Sequence, residues 1–304
     1  MIIDIHCHIW TKEWLPKKFV KGLARLLSPI LGMSEERVEK EFLPTYWDPT
    51  GEKLLQRMNE AGIDKAVVLP LDFGLAIGEP EISIEEQNRA YAQISSKFPD
   101  RLIAFASIDP RRPNAPDFLK KSVEEWGLKG LKIHPTAGFY PNEKITYTLL
   151  EKAAQYKLPV ITHTGPVPPP LRSKYAQPIH LDDVLVDFPE LKVNAAHLGF
   201  GWWPELVSLA AVNFNLYLDF AGWQPAAAHN FNNFCQILRS VLNGVGPNKL
   251  HFGTDGPVFH PLVPDKEFIQ MIRGLPQKAP DGIRFTQEEI DAILGGNARK
   301  FLGS

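Results

Sequence analysis

The chain opens on a strict alternation of apolar and polar residues. In Ile2-Ile3-Asp4-Ile5-His6-Cys7-His8, extended spacing puts Asp4, His6 and His8 on one face of a strand and Ile3, Ile5 and Cys7 on the other. The stretch that follows, 10–49, reads as largely irregular. A regular rhythm then sets in. Helical spacing over 52–61 stops at Gly62, and a short apolar run follows at 66–69. The same succession repeats to the end of the chain. Helices are predicted at 84–98, 116–126, 143–156, 181–188, 204–212 and 226–242, and strands at 102–108, 130–134, 159–163, 193–197, 216–220 and 249–255. Two more helices, 265–273 and 286–294, close the pattern.

Counting the opening strand, this makes eight strands, each followed by helix. Several are short apolar runs, as expected of strands buried on both faces. Such alternation implies a parallel sheet, and eight units imply a closed (β/α)8 TIM barrel, an α/β fold. With 304 residues and no break in composition, one barrel domain over 1–304 accounts for the whole chain. The exception to the rhythm is the stretch 10–49 after the first strand. It carries Trp10, Trp14 and Trp47 and a helical-looking piece over 34–42, and reads as a lid-like insertion. No Gly-x-Gly-x-x-Gly follows any strand, which argues against an open dinucleotide-binding sheet.

Composition narrows the partners. The chain is 44% hydrophobic and 22% charged with a net charge of −2, so neither nucleic acid nor an anionic membrane is expected as a partner. Two distant cysteines, Cys7 and Cys235, make no disulfide framework and fit a reducing compartment. The first residues lack the basic and apolar regions of a signal peptide, and a cytoplasmic protein acting on a small molecule is expected.

Candidate chemistry gathers at the strand ends. His6 and His8 end the first strand, His134 the fourth, His163 the fifth, His197 the sixth and Asp255 the eighth. In such a barrel these ends surround one mouth, where active sites are built. Neutral imidazoles and a carboxylate are what a catalytic zinc accepts while keeping a position for water, and the ion brings the pKa of that water toward neutrality. His6, His8 and His163 can supply nitrogen. Asp255 can bind the ion, hold the water or accept its proton. His197 can polarise a carbonyl, stabilise an oxyanion or shuttle a proton.

These residues carry a resemblance. Asp4-Ile5-His6-Cys7-His8, His163-Thr164-Gly165, Ala196-His197-Leu198-Gly199 and Gly253-Thr254-Asp255, in this order, resemble the amidohydrolase superfamily. Residues 58–66, the Gly130-Leu131-Lys132-Ile133-His134-Pro135 stretch and the tail 296–301 are similar to its amidohydrolase-related (amidohydrolase 2) family. That family includes metal-dependent hydrolases and the aminocarboxymuconate semialdehyde decarboxylase group. The resemblance spans nearly the whole chain. It implies a distorted barrel, commonly homodimeric. It also implies a divalent ion, Zn2+ before Mn2+ or Fe2+, held by His6, His8, His163 and Asp255, with His197 as the catalytic or substrate-polarising histidine beside the proton-accepting Asp255 expected from its chemistry.

Two choices stay open at this level. In two-metal relatives a carboxylated lysine of the fourth strand bridges the ions, and Lys132 could take that place. It lies two residues, roughly 6.6 Å, below His134. A buried pair with Asp4 is the preferred reading, hence one metal. The reaction is the second choice. The first expectation is a hydrolase, in which metal-activated water attacks a carbonyl-type carbon of a small cyclic or aromatic compound. The alternative is a non-oxidative decarboxylase of an aromatic or semialdehyde acid, and a catalytically silent binding barrel ranks last because every ligand position is filled. His134, Trp10, Phe139, Arg172 and Trp202 are candidate substrate contacts, with Lys12, Lys17 and Arg25 as further cations able to grip a carboxylate.

Overall fold

The computed structural model describes residues 1–303 and shows the expected barrel. Its strands are β1 (Ile3–Cys7), β2 (Lys65–Val68), β3 (Leu102–Ala104), β4 (Ala106–Ser107), β5 (Leu131–Ile133), β6 (Val160–Thr162), β7 (Val193–Ala195), β8 (Leu216–Asp219) and β9 (Leu250–His251). They pair in chain order, all parallel, as β1-β2-β3 and β4 through β9. β3 and β4 are two pieces of the single run predicted at 102–108. Phe105 separates them, its N–H bonding Val68 O at 3.2 Å while Ala106 N–H bonds Gly130 O at 2.8 Å. The ring closes where the chain following β9 meets β1. Ile5 N–H donates to Phe252 O at 3.0 Å, Asp255 N–H to His6 O at 2.8 Å, and Cys7 bridges Gly256 in parallel.

The interior of the barrel has two halves. Ile3, Ile5, Val67, Leu69, Phe105 and Ile161 pack together with Ala298 and Phe301 of the closing helix Asn297–Leu302. That helix escaped the sequence pattern, which ends at 294. The other half is polar, and every member is buried: Lys132, Asn194, Asp219 and His251. The strand residues between these face outward into a larger apolar layer shared with the surrounding helices. Gly130 is required by this packing. A Cβ there would lie 2.3 Å from the Phe105 ring, which fills the barrel beside it.

The alternation of β1 is not continuous. Between Asp4 and Cys7 the strand advances three residues while β2 advances two, from Ala66 to Val68. The extra residue turns the following side chains over. Ile3 and Ile5 therefore share the interior with His6 and His8, and Asp4 leaves their face. Its carboxylate accepts from Thr254 Oγ1 at 2.6 Å, Thr254 N at 3.0 Å and His6 N at 3.0 Å. Burial raises this carboxyl to about 7 despite those bonds. The expected pairing of Asp4 with Lys132 does not form, because Asp4 faces out of the barrel to Thr254 while Lys132 lies in the interior beside His6.

The insertion after β1 is more ordered than its sequence indicates. Its ends are joined by a bridge between Trp10 and Trp47, and Asp48 N–H bonds Trp10 O at 2.7 Å. The main element is a 15-residue helix, α1 (Lys17–Leu31), whose buried Val20, Leu23, Ala24 and Leu27 recur at helical spacing, a correction to the irregular reading of 10–49. The predicted 34–42 segment is helical as the turn Glu35–Arg37 and the wider turn Val38–Phe42. Elsewhere, predicted helices shift by a few residues. The one at 226–242 divides into Gln224–His229 and Phe231–Val245 at Asn230, whose side chain caps the second by accepting from Asn233 N. No helix among the described residues is long and apolar enough to cross a membrane.

Candidate active site

All six residues picked out at the strand ends face one cavity of about 290 Å³ at the C-terminal mouth of the barrel. His6 and His8 come from the bulged end of β1, and His134, His163 and His197 follow β5, β6 and β7. Asp255 follows β9. Asp255 and His197 both take left-handed backbone conformations, with φ of 53° and 63°, and Leu198 and Phe200 do so as well. Non-glycine residues rarely adopt this region, and such strain concentrates at functional sites.

His6, His8 and Asp255 form one group of potential ligands and His6, His197 and Asp219 a second, each with one donor atom per residue within 4.8 Å of the others. Asp255 Oδ1 lies 3.2 Å from His8 Nε2 and 3.7 Å from His6 Nε2. Both imidazoles are oriented from behind. His8 Nδ1 bonds Leu69 O at 2.6 Å, and His6 Nδ1 faces Asp219 Oδ2 at 3.3 Å. This carboxylate or carbonyl at the far nitrogen is the usual arrangement behind a metal-binding histidine. Asp219 is itself fixed by Asn194 Nδ2 at 2.6 Å and by the N–H groups of His197 and Ala221. His251 extends the chain through Asn194 Oδ1 at 2.8 Å. Asp219 at the end of β8 had no motif to reveal it. The one sequence sign was an aspartate ending the apolar run Leu216-Tyr217-Leu218.

His163 stands on another wall. Its ring stacks on His134 at 4.0 Å between centroids and lies 4.7 Å from His197. It joins neither of those groups. Its Nε2 is buried without a hydrogen-bond partner, and an imidazole nitrogen left so is a free ligand position. His197 Nδ1 bonds Ala221 O at 2.8 Å, which leaves Nε2 for the cavity, and its ring stacks on Phe200. Lys132 reaches the cavity floor, with Nζ 3.1 Å from His6 Nε2.

Electrostatics match a metal centre. Burial first, and then the neighbouring cationic and imidazole groups, hold His6, His134 and His163 well below the usual imidazole range, and His197 is lowered too. They are neutral at neutral pH, the form that binds metals. Burial brings the Lys132 ammonium down to about 8. Burial opposes ionisation of Asp255, but the bond with His8 and the imidazoles of His197 and His6 outweigh it and bring the carboxyl down to about 2. The donor set, the orphaned Nε2 of His163 and these protonation states all fit a divalent ion.

Of the expected substrate contacts, Trp10 and His134 line the cavity. Phe139, Arg172 and Trp202 do not. Phe139 is buried behind the site beneath the Arg111 guanidinium, while Arg172 is exposed and Trp202 half-exposed. Nor do the other cations reach in. Lys12 is exposed, and Lys17 and Arg25 pair at the surface with Glu81 and Glu35.

A family model described as amidohydrolase matches residues 3–304. The chain belongs to the amidohydrolase family. Solved structures with this family member's fold include a TIM-barrel protein from Bordetella bronchiseptica, at 22% identity and a TM-score of 0.70 over 99% of this chain and 98% of that one. A 5-carboxyvanillate decarboxylase from Novosphingobium aromaticivorans, complexed with manganese and 4-hydroxy-3-methoxy-5-nitrobenzoic acid, shares 17% identity with a TM-score of 0.70, covering 100% and 96%. A probable 2-pyrone-4,6-dicarboxylic acid hydrolase from Acinetobacter baumannii shares 16% identity with a TM-score of 0.65, covering 100% and 99%.

Proposed function

We propose that this amidohydrolase-family barrel is a metal-dependent carboxy-lyase, a non-oxidative decarboxylase of an aromatic acid. The observation that carries the reading is the division of the cavity. Histidines, Lys132 and Asp255 form its floor, and aromatic and aliphatic side chains form its walls. A ring with an acidic group at one edge fits that division. The decarboxylase with bound manganese and a nitrobenzoic acid, which has the same fold, supports the choice of chemistry. It also favours manganese beside the zinc expected from the donor types.

His6, His8, His163 and Asp255 would hold the ion. A divalent cation bound there supplies positive charge that orients and neutralises the oxygen substituents of the acid. The chain's own residues handle the proton. When the carbon–carboxylate bond breaks, carbon dioxide leaves, the electron pair stays on the ring carbon, and that carbon takes up one proton. Asp255 is ionised and His197 Nε2 carries no hydrogen, so either can accept a proton from a phenolic hydroxyl as the acid binds and return it to the carbon. The apolar walls keep water from the carboxylate, a group less stable there than in water.

A second reading, hydrolysis of a lactone or related carbonyl compound, draws on the same ionised Asp255, which is also placed to take a proton from water. Carbon dioxide release by manganese- or zinc-loaded protein, measured over a panel of hydroxybenzoic acids beside a panel of aromatic lactones and esters, separates the two. Carbon dioxide from at least one acid, lost in Asp255→Asn and on chelation, is expected. Ring opening or ester cleavage without decarboxylation would replace the first reading by the second.

A further inference from the structure

The walls of the cavity contain no charged side chain. From α1 they take Phe19, Leu23 and Leu27, and Leu71 and Phe73 join them, the Phe73 ring 5.1 Å from that of Phe19. The segment 166–171, with four prolines, Val167 and Leu171, forms another side, and Val258 and Phe259 complete the enclosure. Lys132 on the floor is the only Lys or Arg among the lining residues. A second carboxylate on the substrate, away from the floor, would be buried in hydrocarbon with no partner, at a cost that binding could not recover.

The apolar surface also continues outward. Leu26 and Ile30 of α1 both line the cavity and remain 36% and 53% exposed. Side chains that do both mark the opening. The helix is firmly seated: a Cβ at Gly22 would lie 2.8 Å from Pro169 O, so α1 rests directly on the proline segment. The hydrocarbon path from floor to opening is thus part of the folded structure.

We propose that the substrate is amphipathic, with a single acidic head at the metal-ligand floor and a flexible hydrocarbon substituent lying along α1 toward Leu26 and Ile30. The position of the head rests on the decarboxylase reading; the position of the tail rests on the walls alone. Alkyl hydroxamic acids carry a metal-chelating head on a chain of chosen length. Binding of aceto-, hexano- and octanohydroxamic acid to the manganese-loaded protein, read by calorimetry, is expected to tighten about fourfold per methylene. Ile30→Glu and Leu26→Glu change exposed positions, so the fold is retained, and each is expected to lower the octanohydroxamate-to-acetohydroxamate affinity ratio about tenfold. Affinities within twofold of one another across the series would overturn the tail and leave the metal floor intact. Ethanol, hexanol and octanol titrated against metal-free protein read the walls without the head. If chain length governs the alkanols while no hydroxamate binds, the tail stands and the metal-centred reading falls.

Discussion

Asp219 Oδ2 stands 3.3 Å from His6 Nδ1, and through this contact the polar half of the barrel interior sets the position of a residue at its mouth. With Nδ1 facing the carboxylate, the ring turns Nε2 toward Asp255. The same carboxylate accepts from His197 N at 2.9 Å, so one buried group orients both an expected ligand and the expected proton carrier. Asp219→Ala should therefore weaken divalent metal binding about 10- to 100-fold. Competition with a fluorescent chelator measures it. Wild-type affinity in this variant would mean that the packing around His6 orients the ring unaided.

Gly130 faces Phe105 across the strand break. Gly130→Ala places a methyl group 2.3 Å from a ring that is fully buried and has nowhere to move. A loss of about 1–3 kcal/mol of stability is expected, as for other overpacked cores. The double variant Gly130→Ala with Phe105→Leu should recover part of that loss, because the two positions share one volume. Urea unfolding of the four proteins would show purely additive effects if the contact were unimportant.

Glu289 caps the helix Gln287–Asp291 and accepts from both Nη atoms of Arg239, at 2.8 and 3.0 Å. Burial alone would raise its carboxyl, but Arg239 and the Thr286 N–H outweigh that and lower it below the usual glutamate range. A carboxyl lowered in the folded state contributes stability that is present above its unfolded value, about 4.3, and lost as pH falls through the folded one. Glu289→Gln should thus cost about 1–2 kcal/mol at neutral pH, and the difference from wild type should shrink as the pH drops below about 4. Denaturant titrations at both pH values check it. A gap that stays constant would assign the effect to cap geometry and not to charge.

Much of this architecture is written in the order of residue types. Short apolar runs alternating with helical periods can bury both faces only in a parallel sheet wrapped by helices, and eight of them close a ring. That ring brings together strand ends that are far apart in the chain, so the six His and Asp residues at those ends were legible as one mouth. Only the tertiary structure settled what depends on packing between distant segments. A one-residue bulge in β1, invisible to a period of two, turned His6 and His8 away from the face of Asp4, which binds Thr254 while Lys132 reaches the floor beside His6. Asp219 also escaped local pattern, because it gains its role from a histidine 213 residues away. The helical spacing of α1 is present in the sequence, but what its apolar face covers depends on the cavity beneath it. Phe139, Arg172 and Trp202 show the converse: following a strand does not put a side chain at the mouth, because the loop that carries it decides where it points.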